Sequence, residues 1–205
     1  DGRFVFGTRK GEVKALRIKD LANLRRNGLI IMDLEPGDEL VSVRDIQKEE
    51  DIVLVTANGQ SIKFAADSVP VRSRPAGGVR GIKLVGADEV VGMESVTSSD
   101  KMLVISVQGY GKLMAMTRYP RQKRGGMGVR AFNVMKKTGP LAHARVCKVG
   151  VEDEVLLVSE RCQVYRTNLQ GISTQGRHAS GVIIWRPGGD DQVASIACFQ
   201  NGRRT

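Results

Sequence analysis

Residues 52–96 read IVLVTANGQSIKFAADSVPVRSRPAGGVRGIKLVGADEVVGMESV, and the order of signals in this stretch decides the fold. Ile52 to Thr56 is a short apolar run of the kind that forms a buried strand. Asn58-Gly59 follows; both residues tolerate positive φ, which marks a tight hairpin. Gln60 to Phe64 returns as a second strand. A polar loop from Ala65 to Gly77 carries Arg72 and Arg74, and Val79 to Leu84 and Glu89 to Val96 read as third and fourth strands. Runs between proline and glycine are too short for packed helices, so the unit is a four-stranded propeller blade.

The unit occurs four times. A glycine that closes the polar loop and opens the third strand stands at Gly28, Gly78, Gly128 and Gly181, at spacings of 50, 50 and 53. The strands after it are Leu29 to Leu34, Val79 to Leu84, Val129 to Val134 and Val182 to Trp185. Aspartate follows in Gly37-Asp38-Glu39-Leu40, Ala87-Asp88-Glu89-Val90 and Asp190-Asp191-Gln192-Val193, while the third repeat has Thr138-Gly139-Pro140-Leu141. The hairpin recurs at Gly11, Gly59 and Gly109, with Arg161-Cys162-Gln163 as a weaker fourth copy. A fixed period in this range marks a propeller, solenoid or array. The expectation is an all-β, propeller-like repeat domain over 1–205, with blades at about 1–50, 51–100, 101–151 and 152–200. The first repeat alone has a helix-permissive stretch, Lys19 to Arg26, in its long loop.

Composition agrees with a β-rich chain: 24 glycines among 205 residues exceed the usual ~7%. No run approaches the ~18 apolar residues of a membrane helix, no leader opens the chain, and the reading is cytoplasmic. The chain starts at a strand without methionine and is expected to be a piece of a longer polypeptide. Cys147, Cys162 and Cys198 lack metal-ligand spacing and read as isolated, buried or half-buried thiols.

The net charge of +10 is unevenly spread. Residues 101–150 carry eleven basic side chains and no acid, whereas the other repeats are nearly balanced. Self-repulsion confined to one blade points to a polyanionic partner. Arginine also recurs four residues before the anchor glycine, at Arg74, Arg124 and Arg177, and shifts to Arg25 and Arg26 in the first repeat. Such an arginine can cap carbonyls or tie blades together, but on successive blades these charges would also form a basic track along a rim.

Several motifs carry a family resemblance. Gln108-Gly109-Tyr110-Gly111-Lys112, Tyr119-Pro120, Lys123-Arg124-Gly125-Gly126-Met127-Gly128-Val129, Gly78-Val79-Arg80-Gly81-Ile82-Lys83-Leu84 and Ile172-Ser173-Thr174-Gln175-Gly176-Arg177 resemble blades of the C-terminal domain of DNA gyrase A subunits. The resemblance implies a β-pinwheel, a propeller variant whose neighbouring blades exchange strands, and the wrapping of double-stranded DNA, largely independent of sequence, around its rim. The family domain usually has six blades, and these four match its last four. The loop Gln122-Lys123-Arg124-Gly125-Gly126-Met127-Gly128 matches five of the seven positions of the family's gyrase box, Gln-Arg-Arg-Gly-Gly-Lys-Gly. It reads as a degenerate echo of a box that would lie upstream, the alternative being a different blade assignment.

The DNA-binding side chains expected on this basis are Arg25, Arg26, Arg72, Arg74, Lys112, Arg118, Arg121, Lys123, Arg124, Arg130 and Arg177. Catalytic residues and a cofactor are not expected in this chain. His143 and His178 have no recognisable partner motif, no phosphate loop occurs, and Tyr110, Tyr119 and Tyr165 are not nucleophile candidates, because the resemblance places the DNA-cleaving tyrosine in another part of the parent enzyme. Trp185 reads as core. The resemblance implies that ATP and Mg2+ act elsewhere in that enzyme, with the rest of gyrase A and gyrase B as protein partners. The alternatives are the topoisomerase IV A-subunit tail and a propeller scaffold for a protein partner.

Overall fold

The computed structural model describes residues 2–22, 26–47, 49–148 and 154–200. Strands β1 (Arg3–Thr8), β2 (Glu12–Arg17) and β3 (Leu40–Ile46) come from the first repeat, and β4 (Asp51–Thr56), β5 (Gln60–Ala65), β6 (Val79–Arg80) and β7 (Val90–Val96) from the second. The third supplies β8 (Lys101–Ser106), β9 (Tyr110–Ala115), β10 (Val129–Arg130) and β11 (Leu141–Cys147). The fourth supplies β12 (Glu154–Ser159), β13 (Val164–Asn168), β14 (Val182–Ile183) and β15 (Val193–Phe199).

The third strand of the second, third and fourth repeats is only two residues long and leaves its own blade. Blade 1 has the order β3-β1-β2-β6, blade 2 β7-β4-β5-β10, blade 3 β11-β8-β9-β14, and blade 4 β15-β12-β13. Each of the first three blades is therefore completed by the repeat that follows it, with Glu12 opposite Arg80, Gln60 opposite Arg130 and Tyr110 opposite Ile183. The expected four strands per blade are present in blades 1 to 3, but from two repeats. In the first repeat, Leu29 to Leu34 forms no strand. No described blade precedes it to offer an edge, and Ile31 and Met32 instead cover the outer face of blade 1 against Phe6 and Leu16.

The alternating faces of each sheet explain the apolar runs. Ile52 and Leu54 of β4 pack toward blade 1 with Val5, Val13 and Ile62, while Val53 and Val55 pack toward blade 3 with Met102, Val104 and Phe132. Both faces are covered, so all six residues of β4 are buried. Burying one such side chain contributes about 1.5–3 kcal/mol. Blade 4 has no described neighbour on one side, and its strand β12 alternates between buried and half-buried positions accordingly.

The innermost strands pack in series, β3 on β7, β7 on β11 and β11 on β15, with no comparable contact between β15 and β3. The described residues thus form an open arc. A bulge recurs where each inner strand meets its neighbour, at Gly7/Thr8, Val55/Thr56, Leu141/His143 and Val158/Ser159. The helix-permissive Lys19 to Arg26 yields a single 3-10 turn at Ile18–Leu21, with residues 23–25 outside the described set. Equivalent turns follow the second strand of every repeat.

The cysteines differ from expectation. Cys147 of β11 and Cys198 of β15 form a disulfide that joins blades 3 and 4, and Cys162 is free and exposed. Trp185 is half-buried on the third core cluster and stacks on Tyr165, with ring centroids 5.7 Å apart.

Candidate nucleic-acid interface

The arginine-bearing loops are the crossovers that carry each exchanged strand to the preceding blade. Each first makes a single parallel bridge to that blade, Ala15 to Val71, Lys63 to Arg121 and Leu113 to Thr174. It then turns outward and returns antiparallel as β6, β10 or β14. The inner strands occupy the centre of the arc, so these loops and exchanged strands lie along its outer edge. The anchor glycine makes the return possible: Gly128 has φ +75°, and a Cβ there would collide with the backbone of Ser61.

The expected residues fall into two groups. Arg25 lies outside the described residues, and Arg26 is exposed. Arg72, Arg118, Lys123 and Arg130 are exposed, and Arg74 and Arg177 are half-exposed. Among the described residues only Arg72 of these makes a side-chain hydrogen bond, a long one of 3.5 Å to the Gly77 carbonyl. Arg80 on β6 occupies the position of Arg130 on β10 and is also exposed; both stand two residues after an anchor glycine, a repeat signal present in the sequence beside the arginines of the loops.

Three expected DNA contacts are committed elsewhere. Arg121 pairs with Asp51 at 2.8 Å. Arg124 donates to the carbonyls of Ser68 and Arg80, so it ties the box-like loop to the neighbouring segments. Lys112 is completely buried and donates to the carbonyls of Gly176, Arg177 and Ala179, which removes it from any surface that could meet a phosphate. The acid-free repeat is also partly neutralised by its neighbour, since Glu94 of blade 2 binds Arg44 and Arg145. Arg118, Lys123, Arg130, Lys136 and Lys137 remain as its exposed cations without a hydrogen bond or ion pair among the described residues, Lys137 lying over the ring of Tyr110.

The recurrent acids cap turns. Asp38 accepts the N–H groups of Lys10 and Glu39, Asp88 those of Asn58 and Glu89, and Asp191 those of Arg161 and Gln192. Each therefore ties a hairpin to the start of the inner strand. A second device escapes a reading of the sequence alone: Thr8, Thr56, Ser106 and Ser159 each accept the N–H four residues on, closing the same hairpin. Tyr119 is buried beside Met114, and burial holds its phenol well above the ordinary range, so it stays protonated. No group of three or more metal-ligating side chains occurs among the described residues.

A family model described as the DNA gyrase C-terminal domain, a β-propeller, matches residues 3–47, 50–97, 100–148 and 153–200, one match for each repeat. The chain belongs to the DNA gyrase C-terminal domain family. The DNA gyrase A subunit of Dehalogenimonas lykanthroporepellens is 39% identical over 199 residues, 94% of this chain and 24% of that protein. Its Deinococcus deserti counterpart is 37% identical over 199 residues, 95% and 24%. The chain spans about a quarter of these relatives. A solved gyrase A C-terminal domain superposes with TM-score 0.85 at 28% identity, covering 97% of this chain and 66% of that one. The C-terminal domain of DNA topoisomerase IV shares the fold, with TM-score 0.89 at 24% identity over 97% of this chain and 62% of that one.

In this gyrase C-terminal domain the inner edge holds the ionic cluster built on Glu94. Arg44 and Arg145 share Glu94, and His143 on β11 lies close enough to feel both arginines. Burial, then Arg145 and Arg44, push His143 down to about 4, and its Nδ1 is buried without a hydrogen-bond partner. The unfolded state binds the extra proton between pH 6.5 and about 4, so the stability of neutral His143 is complete above 6.5 and is lost as pH falls through that window. Acidification from pH 7 to 4.5 should lower the melting temperature of the native chain by roughly 5 °C more than that of His143→Gln. Equal shifts in differential scanning calorimetry would show that His143 is not the group responsible.

Proposed function

We propose that this chain binds double-stranded DNA along the outer edge of its arc and bends it, as the DNA-wrapping domain of the A subunit of a bacterial gyrase. The observation that carries this reading is a set of basic groups along the outer edge, Arg74 and Arg177 at one position of their repeats, Arg80 and Arg130 at another and Lys123 beside them, whose side chains make no hydrogen bond or ion pair among the described residues. Such groups neutralise phosphates and release counterions, which gives salt-dependent, sequence-independent affinity. Bending a 20–30 bp segment by 40–90° costs about 1–6 kcal/mol, which contacts distributed along an arc offset. The similarity to gyrase A subunits favours gyrase over topoisomerase IV as the parent enzyme. In that enzyme ATP and Mg2+ would act outside this chain, with the rest of gyrase A and gyrase B as partners, in the cytoplasm.

The test is ligation of relaxed nicked plasmid in the presence of the chain, at a series of salt concentrations, with binding to linear duplex measured in parallel. A shift in linking number that disappears as salt rises is the expected result. Binding without a shift would mean that the arc grips DNA but does not wrap it. Absence of binding at low salt would overturn the DNA reading and leave a scaffold for protein partners.

A further inference from the structure

Lys14 and Lys112 occupy the same position of blades 1 and 3, opposite Phe6 and Val104 in the hairpin register. Both side chains are completely buried. Lysine is almost never fully buried unless its charge is compensated, and among the described residues no carboxylate bonds either ammonium, Asp33 acting on Lys14 only from a distance. Lys14 Nζ instead donates to the carbonyls of Ile31, Arg74 and Ala76, each at 2.7 Å. Lys112 Nζ donates to those of Gly176, Arg177 and Ala179 at 2.7, 3.2 and 2.7 Å, above the ring of Phe132. An ammonium has three donors, and in both cases all three are used.

Five of the six accepting carbonyls belong to crossover loops. The ammonium groups therefore sit inside the loops that carry Arg74 and Arg177, each reaching out from the blade that receives the exchanged strand. The blade between them supplies the control. Its equivalent residue is Ile62, opposite Leu54, and there the loop is held from outside by Arg124, which donates to Ser68 and Arg80. Where a buried lysine fixes the loop, the recurrent arginine has no protein partner among the described residues; where the lysine is missing, the arginine does the fixing.

We propose that Lys14 and Lys112 are positioning residues for DNA binding: they hold the crossover loops 70–77 and 173–180 on the neighbouring blade so that Arg74 and Arg177 are free to meet phosphate. This rests on the DNA reading above. Neither lysine touches DNA itself, so each acts only through the arginine on its loop.

The experiment is a double-mutant cycle on duplex DNA affinity at fixed low salt, using the whole chain, with circular dichroism melts to confirm folding. Lys112→Met should weaken binding about fivefold, and should change affinity less than twofold when added to Arg177→Ala. Lys14→Met with Arg74→Ala is an independent cycle in another blade, should Lys112→Met fail to fold. Ile62→Met, at the equivalent position of blade 2, should bind as the native chain does. Native-like binding by both lysine variants, or the same loss with and without the arginine, would overturn the positioning role while leaving DNA binding intact. A native chain that binds no duplex would overturn both readings together.

Discussion

Gly109→Ala is expected to destabilise the chain by about 3 kcal/mol, lowering its melting temperature by roughly 10 °C. Gly109 closes the β8–β9 hairpin at φ +76°, where a side chain is strained. A methyl group would also land on the carbonyl oxygen of Trp185, far inside van der Waals contact. The approach is close because the Gly109 carbonyl accepts the N–H groups of Ile184 and Trp185, just beyond the exchanged strand β14. The substitution therefore acts on two repeats at once, bending one hairpin and displacing the segment that completes blade 3. Gly86→Ala separates the two causes: its φ is +63° with nothing within 4 Å of the added carbon, so about 1 kcal/mol is expected. Equal losses in thermal melts would show that backbone strain alone, not the crossing segment, accounts for the effect.

Replacing Arg74, Lys123, Arg130 and Arg177 together with alanine is expected to abolish most duplex binding, on the order of 100-fold at low salt. The slope of log affinity against log salt should become shallower by about 0.9 for each phosphate that is no longer neutralised, or by about 3 to 4 in all. The double variant Arg121→Ala/Arg124→Ala should weaken binding no more than about fivefold, because Arg121 is paired with Asp51 and Arg124 is spent on two carbonyls, where it acts only through the loop that carries Lys123. Titrations by fluorescence anisotropy over a salt series check both. A double variant that binds as poorly as the quadruple one would return the box-like loop to the centre of DNA recognition.

The contrast between these two variants marks where the sequence was readable. Asn58-Gly59 announces its hairpin because turn backbone is decided by the residues in it, and the repeat of anchor glycines follows from the same local requirement. The exchange of strands is not local: Val79–Arg80 is two residues long, and its partner Glu12–Val13 lies 66 or more residues away, so no periodicity marks the pairing. Lys112 looks like a surface cation in a strand, yet its burial is decided by carbonyls 64 to 67 residues further on. Arg121 and Arg124 were readable as basic but not as occupied, since their partners come from another repeat. Cys147 and Cys198 are separated by 51 residues, about one repeat, and that near-equality was a usable sign that they face each other across adjacent blades.

The offset between repeat and blade bears on how such an array can change its copy number. Cutting out any in-phase stretch of about fifty residues lets the next exchanged strand dock on the blade left behind, because every donor segment and every acceptor edge is equivalent. Loss of residues 51–100, for example, would present Val129–Arg130 to β2 in place of Val79–Arg80. A cut out of phase would strand one donor and bare one edge. Duplication and deletion in whole repeats can therefore lengthen or shorten the array without creating a new unmatched donor strand or a new bare edge.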